Sequence, residues 1–176
     1  MSLPKKIFPI LLGMTLVSIS ARITIEVPLG EGIPISGQSL AVLLVGWYLG
    51  PLDAFISVSA YVLAGALGLP VFADGAAGCA VLQKGSGGFL LGFIPAASLS
   101  GYFSQQKITL LRTAFNAMVL GTSLIITCGL VRLAQLYGWE KALDYGFYPF
   151  WPGAVIKIIL GMLIIWGINQ VKIHHS

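Results

Sequence analysis

Charged residues are scarce in this sequence. Asp, Glu, Lys and Arg make up 9% of its 176 residues, whereas soluble domains carry about 25%. So few charges cannot cover a surface that faces water, which excludes an ordinary soluble globular fold. Hydrophobic residues make up 57% of the chain and its mean hydropathy is +0.92, so the composition is that of an integral membrane protein.

Residue types that carry catalysis or bind metals are equally scarce. The chain has two cysteines and two histidines, and His174 and His175 both lie in the C-terminal tail. The remaining residues offer no Ser-His-Asp, Cys-His or paired-carboxylate grouping. Cys79 and Cys128 lack the spacing of metal ligands. The sequence therefore predicts no enzyme, no metal centre and no cofactor.

Basic residues give the chain a formal net charge of +4, but they stand singly along the sequence. A nucleic-acid surface needs Lys and Arg clustered in one patch with aromatic residues among them. We therefore expect no nucleic-acid partner, and we expect membrane lipid to surround the chain.

Apolar runs between turn signals predict six transmembrane helices. A spanning helix uses about 20 apolar residues, so six of them occupy almost the whole chain and predict a single domain over residues 1–176. Any ATP-driven motor would then belong to another chain. The predicted helices cover residues 7–25, 38–49, 52–67, 87–103, 110–137 and 152–171.

The distribution of charge predicts the orientation. With the N-terminus in the cytoplasm, Lys5, Lys6, Lys107, Arg112 and Lys172 all fall on the inner side. This is the positive-inside pattern, and it predicts a multi-pass protein of the cytoplasmic (inner) membrane with both termini cytoplasmic. The acidic residues of the outer connections are Glu26, Glu31, Asp74, Glu140 and Asp144.

Apart from Lys141 in the last outer connection, four cations remain, and they all fall in the outer half: Arg22, Lys84, Arg132 and Lys157. A charge at membrane depth is costly and usually faces the bundle interior or a water-filled cavity. Several cations at one level therefore predict a pocket, open to the outside, for a solute that bears a carboxylate. The alternatives are an ion pair of Arg22 with Glu26 and contact of Arg132 with lipid headgroups.

The connection between residues 69 and 88 is long, rich in glycine and almost uncharged. Exposed backbone groups cannot be left dry in lipid, so this loop must fold over protein. We predict that it forms a lid on the extracellular side of the pocket, with Phe72 as an apolar wall and with Asp74 or Ser86 as hydrogen-bonding groups. A plain flexible connector is the alternative.

Small residues recur every four positions in the fourth predicted helix, at Gly88, Gly92, Ala96 and Ser100. Such spacing lets helices approach closely. It favours packing within this chain, and docking of another membrane protein is the alternative.

Several short motifs follow one another in a specific order along nearly the whole chain. They are Ile-Pro-Ile-Ser-Gly-Gln at 33–38, Leu-Gly-Pro at 49–51, Tyr61 with Gly65, Gly-Leu-Pro-Val-Phe at 68–72, Gly-Gly-Phe-Leu-Leu-Gly-Phe at 87–93, and Pro-Phe-Trp-Pro-Gly at 149–153 with Lys157. In these motifs the chain resembles the BioY family, the biotin-specific substrate-binding (S) components of energy-coupling-factor (ECF) transporters.

The resemblance implies an S-component-like bundle of six transmembrane helices with a loop lid on the extracellular side. It implies capture of biotin from outside, with the outer cations at the carboxylate and the lid over the bicyclic ring. A transmembrane T component and two cytoplasmic ATPase subunits are the partners that it implies. The alternatives are a stand-alone membrane transporter of another small carboxylated solute and a structural or assembly factor without a solute.

Three stretches depart from the family's pattern. Ala154 follows a Pro-Gly where the family commonly has Asp, Ala76 aligns near an expected Asn, and residues 84–89 read Lys-Gly-Ser-Gly-Gly-Phe instead of Gly-Pro-Ser/Thr-Gly-Gly-Tyr. We expect Asp74, Ser86, Gln38 or Tyr61 to supply the missing hydrogen bonds. The predicted substrate-binding residues are Arg22, Gln38, Tyr61, Phe72, Asp74, Lys84, Ser86 and Lys157.

Overall fold

The computed structural model describes residues 3–25 and 35–174, and these residues are mainly helical. Glu26, Glu31, His175 and the start of the motif at 33–38 lie outside the described residues. The helices are α1 (Leu3–Ser20), α2 (Gln38–Leu49), α3 (Pro51–Ala66), α4 (Cys79–Gln83), α5 (Ser86–Ser104), α6 (Leu110–Tyr137), α7 (Trp139–Gly146) and α8 (Phe150–His174). A short antiparallel pair joins β1 (Thr24–Ile25) to β2 (Ile35–Ser36), and a 3₁₀ turn covers Ala73–Gly75.

The six long helices α1, α2, α3, α5, α6 and α8 correspond to the six predicted ones. Helices α2 and α6 begin and end where the sequence predicts, because Gly37, Gly50 and Gly138 mark their ends. The prediction for α1 was wrong at its C-terminus, since the helix ends at Ser20 and not at residue 25. Backbone hydrogen bonds from Gly37 and from β2 hold residues 23–25 in an extended form instead.

Two short helices were not predicted from the sequence. The predicted lid loop contains α4, and the connection between α6 and α8 contains α7. Gly138, with a φ of 85°, ends α6 and starts α7 at one point. Helix α7 then buries Ala142 and Gly146, and Gly146 packs on the side chain of Leu133 in α6.

Helix α5 is packed between α2, α3 and α6 through its small residues. Gly92 faces Cys128 of α6, and a Cβ on this glycine would lie 2.8 Å from the Cβ of Cys128. On the α2 side, the Ser100 hydroxyl donates to the Leu43 carbonyl at 2.7 Å, and Gly46 packs on the same turn of α5. The small residues of α5 thus serve packing within this chain.

Apolar side chains cover much of the outside of the bundle. Phe8 on α1 is 72% exposed, and large apolar residues are exposed along α3, α6 and α8 as well. Among the described residues, Leu110–Tyr137 and Phe150–Val171 are long and apolar enough to cross a membrane, while three further apolar helices are shorter. An exposed apolar surface of this kind fits lipid rather than water.

Candidate functional site

A cavity of about 290 Å³ lies between the bundle and residues 72–85, the segment that we call the lid. Its volume is at the lower limit of small-molecule sites, which hold about 300–1,000 Å³. The lid, β2, α2, α5, α6 and α8 all contribute lining residues. The lining residues with polar or charged side chains are Ser36, Gln38, Ser39, Asp74, Lys84, Ser86, Thr122 and Lys157.

Most of the predicted site residues come together in this cavity. Arg22 and Tyr61 do not belong to its lining. Arg22 donates to the Pro70 carbonyl just before the lid, and Tyr61 packs on Phe72 of the lid. The predicted residues that line the cavity are Gln38, Phe72, Asp74, Lys84, Ser86 and Lys157.

Lys157 is a part-buried cation with neutral partners. Its ammonium donates to the Ser36 carbonyl at 2.7 Å and to the Ser39 hydroxyl at 3.1 Å. An ammonium has three N–H donors, so one remains after these two bonds. Across residues 3–25 and 35–174, no carboxylate pairs with Lys157. The cavity thus contains a positive charge that is partly removed from water and makes no ion pair with a described residue.

Gln38 and Tyr61 connect the start of α2 to the lid. The Ser36 hydroxyl donates to the Gln38 side-chain oxygen at 2.7 Å, and the Gln38 amide donates to the Tyr61 hydroxyl. Tyr61 is fully buried, and its hydroxyl donates to the Val71 carbonyl at 3.1 Å. Tyr61 therefore positions Gln38 and the chain leading into the lid.

Phe72 anchors the lid in the bundle. Its ring is 1% exposed and packs edge-to-face on Tyr61, with ring centroids 5.6 Å apart. The ring lies so close to Gly65 of α3 that a Cβ there would overlap it. The Gly78 N–H also donates to the Gly65 carbonyl at 2.7 Å, so that the lid is fixed to α3 at two points.

Hydrogen bonds from two arginines and one threonine hold the lid at its edges. Arg22 donates to the Pro70 carbonyl just before the lid, and Arg132 donates to the Gln83 carbonyl near the lid's end. The Thr24 hydroxyl donates to the Asp74 carboxylate at 2.6 Å. Asp74 has a φ of 54°, a left-handed conformation that Asp tolerates better than most residues do.

The remaining predicted polar groups lie where the lid meets α5. Ser86, at the first position of α5, donates to the Val81 carbonyl at 3.3 Å. Lys84 is exposed at the cavity edge, and its ammonium makes no hydrogen bond to a described residue. A second cation is thus available to an anion that enters the cavity.

The rest of the wall is apolar and includes four phenylalanines. Phe89 and Phe150 stack with their centroids 5.3 Å apart and their planes at 18°, and Phe93 extends the same wall. Ala76 and Ala154 also line the cavity and offer no side-chain hydrogen bond. Such a wall suits a compact ring system with few polar atoms.

Thr122 on α6 is a lining residue that sequence reasoning missed. It is 9% exposed and faces the cavity from the middle of an apolar helix. A threonine in such a helix commonly bonds to its own backbone, so the sequence carried no signal for it. Within the described ranges, no three His, Cys, Asp or Glu side chains come together to hold a metal ion.

Comparisons with known proteins agree with this geometry. The sequence pattern of the BioY family matches residues 2–173. The chain is 32% identical to the biotin transporter BioY2 of Lactococcus lactis subsp. cremoris over 169 residues, which cover 92% of this chain and 91% of that protein. It is 33% identical to the biotin transporter BioY of Thermotoga maritima over 150 residues, which cover 85% and 88%.

A solved structure has the same fold. The chain aligns with the crystal structure of the S-component for biotin from an ECF-type ABC transporter at a TM-score of 0.78 and 22% identity. The alignment covers 97% of this chain and 95% of that chain. The predicted six-helix, S-component-like bundle is thereby confirmed.

Proposed function

We propose, since this chain belongs to the BioY family, that it is the biotin-binding S component of an ECF transporter. It is a membrane protein that takes part in transport and is not an enzyme. Biotin has a carboxylate at one end and a compact bicyclic ring at the other, so a site for it needs a cation and an apolar wall. The cavity under the lid offers both.

The uncompensated charge of Lys157 is the observation that carries this proposal. A cation kept partly out of water is costly unless an opposite charge or several hydrogen bonds accompany it. Its two described partners, Ser36 and Ser39, are neutral, and one N–H donor is left over. The carboxylate of the solute supplies the missing counter-charge, and Lys84 at the cavity edge adds a second attraction.

The bicyclic ring then lies along the aromatic wall. Phe72 covers it from the lid, and Phe89 and Phe150 line the opposite side. The ureido N–H groups of biotin need acceptors, and the carboxylate of Asp74 and the hydroxyl of Ser86 are acceptors on the lid side. Arg22 and Tyr61 contribute indirectly, because they hold the lid and Gln38 in place.

Delivery into the cell needs a motor on other chains. We propose that residues 1–176 form a single domain and that its partners are a transmembrane T component and two cytoplasmic ATPase subunits. The relation in fold to an S-component of an ECF-type ABC transporter supports this assignment.

The lid faces the outside of the cytoplasmic membrane in this proposal, and both termini are cytoplasmic. Lys107 and Arg112 support this orientation, because Lys107 lies in the connection from α5 to α6 and Arg112 in the first turn of α6, at the end of the bundle away from the lid. Cytoplasmic connections are the ones that accumulate Lys and Arg.

Binding of biotin to the purified chain in lipid nanodiscs tests the proposal. Isothermal titration should show saturable binding of biotin and weaker binding of its neutral amide. Lys157→Met should weaken biotin binding by about 10- to 100-fold, since hydrogen bonds to charged groups contribute about 1.5–3 kcal/mol. Lys107→Met, which removes an exposed cation at the other end of the bundle, is the matched control and should bind like the wild type.

A stand-alone transporter of another small carboxylated solute is the second candidate. Ala76 and Ala154 favour the part of this candidate that concerns the solute, because both line the cavity without a polar group where the family pattern carries Asn and Asp. The same titration separates the candidates. If biotin does not saturate the chain and another small carboxylate does, biotin is the wrong solute.

A further inference from the structure

The hydroxyl of Thr122 is a polar group of the cavity to which the proposed function assigns no role. Thr122 is 9% exposed and lines the cavity, yet its hydroxyl makes no hydrogen bond to a described residue. Two other helical threonines bond to their own helix: Thr113, also on α6, donates to the Leu110 carbonyl at 3.0 Å, and Thr15 donates to the Leu11 carbonyl at 2.9 Å. The hydroxyl oxygen is not fully enclosed by protein but is accessible from the cavity, so it is free to donate a hydrogen bond to a solute that enters there.

Thr122 and Lys157 lie at the same level of the bundle. Helix α6 ends and α8 begins at the lid, so the two helices run antiparallel, and they meet where Gly161 packs on the Met118 side chain. Lys157 precedes Gly161 by four residues and Thr122 follows Met118 by four, which is about one helical turn in each case. Residues four apart share a helix face, so both side chains lie one turn above this contact, toward the lid.

The cavity ends at this level. On α5, α6 and α8, the lining residues farthest from the lid are Phe93, Thr122 and Lys157. The floor of the cavity therefore combines one cation, one unpaired hydroxyl and one aromatic ring, while Asp74 and Lys84 lie at the lid.

We propose that the Thr122 hydroxyl donates a hydrogen bond to the same solute carboxylate that Lys157 binds, so that Thr122 helps to determine the specificity of the site. This inference rests on the proposed function. A carboxylate has two oxygens with about four acceptor positions and accepts from both groups at once. The neighbouring α6 residues in the lining, Ile125 and Ile126, have no donor, so the hydroxyl is the polar contact that α6 contributes.

Three variants of the full chain in nanodiscs test the proposal. Thr122→Val keeps the shape and removes the hydroxyl, so biotin should bind about tenfold more weakly. Thr122→Ser keeps the hydroxyl and should stay within about twofold of the wild type. Thr113→Val is the matched control, because Thr113 is also buried on α6 but bonds within the helix, and its affinity should be unchanged. Thr122→Ala is a second variant without the hydroxyl in case Thr122→Val does not fold.

The preference for biotin over its neutral amide is a measurement that a purely structural role of Thr122 would leave unchanged. Wild type should prefer biotin over its neutral amide, and Thr122→Val should lose about tenfold of this preference. If Thr122→Val binds biotin with wild-type affinity and keeps the wild-type preference for biotin over its neutral amide, the inference is wrong. The proposed biotin site is unaffected by that result. An equal loss in Thr122→Ser and Thr122→Val also overturns it, since shape would then matter and not the hydroxyl. Absence of biotin binding to the wild type overturns the proposed function and this inference together.

Discussion

Thr24 and Asp74 form a side-chain hydrogen bond between β1 and the lid. We predict that Thr24→Val releases biotin about fivefold faster, because the lost bond contributes about 1 kcal/mol and the lid opens more readily without it. Stopped-flow measurement of biotin dissociation from the purified chain checks this. Thr127→Val is the control, since Thr127 is exposed on α6 away from the lid, and its rate should equal that of the wild type. Equal rates for Thr24→Val and wild type would show that this bond does not restrain the lid.

The cations of the outer half have two different roles in the structure. Lys157 and Lys84 line the cavity, whereas Arg22 and Arg132 bind backbone carbonyls of the chain around the lid. The sequence predicted four cations at one depth, but Lys157 lies at the floor of the cavity and Lys84 at the lid. The carbonyl partners of the two arginines are 48 and 49 residues away in the chain. Backbone oxygens carry no residue-type signal, so only the fold reveals which cation is free for a solute.

Docking of the lid on α3 depends on Gly65. A Cβ at this position would overlap the Phe72 ring, so Gly65→Ala should displace Phe72 and with it the lid. Overpacking of this kind costs about 1–3 kcal/mol, and we predict that biotin binds about 5- to 150-fold more weakly. Isothermal titration measures the affinity, and Gly167→Ala on α8, where a Cβ would meet nothing within 4 Å, should have no effect. Wild-type affinity in Gly65→Ala would mean that the lid does not depend on this contact.

Long apolar helices between glycines or prolines could be predicted from the sequence alone. Gly50-Pro51 separates α2 from α3, and Gly138 ends α6, so their bounds follow from local chemistry. Helix α7 could not be found in this way, because it is short and carries charges, and only Ala142 and Gly146 are buried. The end of α1 depends on pairing of β1 with β2, ten residues farther along, which no local pattern contains.

In the described part of the chain, the cavity and its polar lining lie at one end of the bundle, and apolar side chains cover much of its outside. If the lid faces outward, a membrane-impermeant maleimide should label Cys79 in intact cells, since Cys79 is exposed on α4 within the lid. Cys79→Ser should abolish the labelling. Lys107→Cys in that background should react only after the membrane is permeabilised. Labelling of Lys107→Cys but not of Cys79 in intact cells would show that the lid faces the cytoplasm.

Capture and energy supply are separate tasks in the proposed transporter, and whole-cell uptake distinguishes them. In this proposal the cavity binds the solute without ATP, and inward release of a solute that Lys157 holds and the lid covers needs work from outside the chain. We predict that cells without a biotin transporter of their own accumulate biotin when they express the chain together with a T component and two ATPase subunits. Accumulation should cease when the ATPase subunits cannot hydrolyse ATP. If the chain alone supports the same accumulation, it is a stand-alone transporter, because no coupling module would then be needed to reopen the cavity toward the cytoplasm.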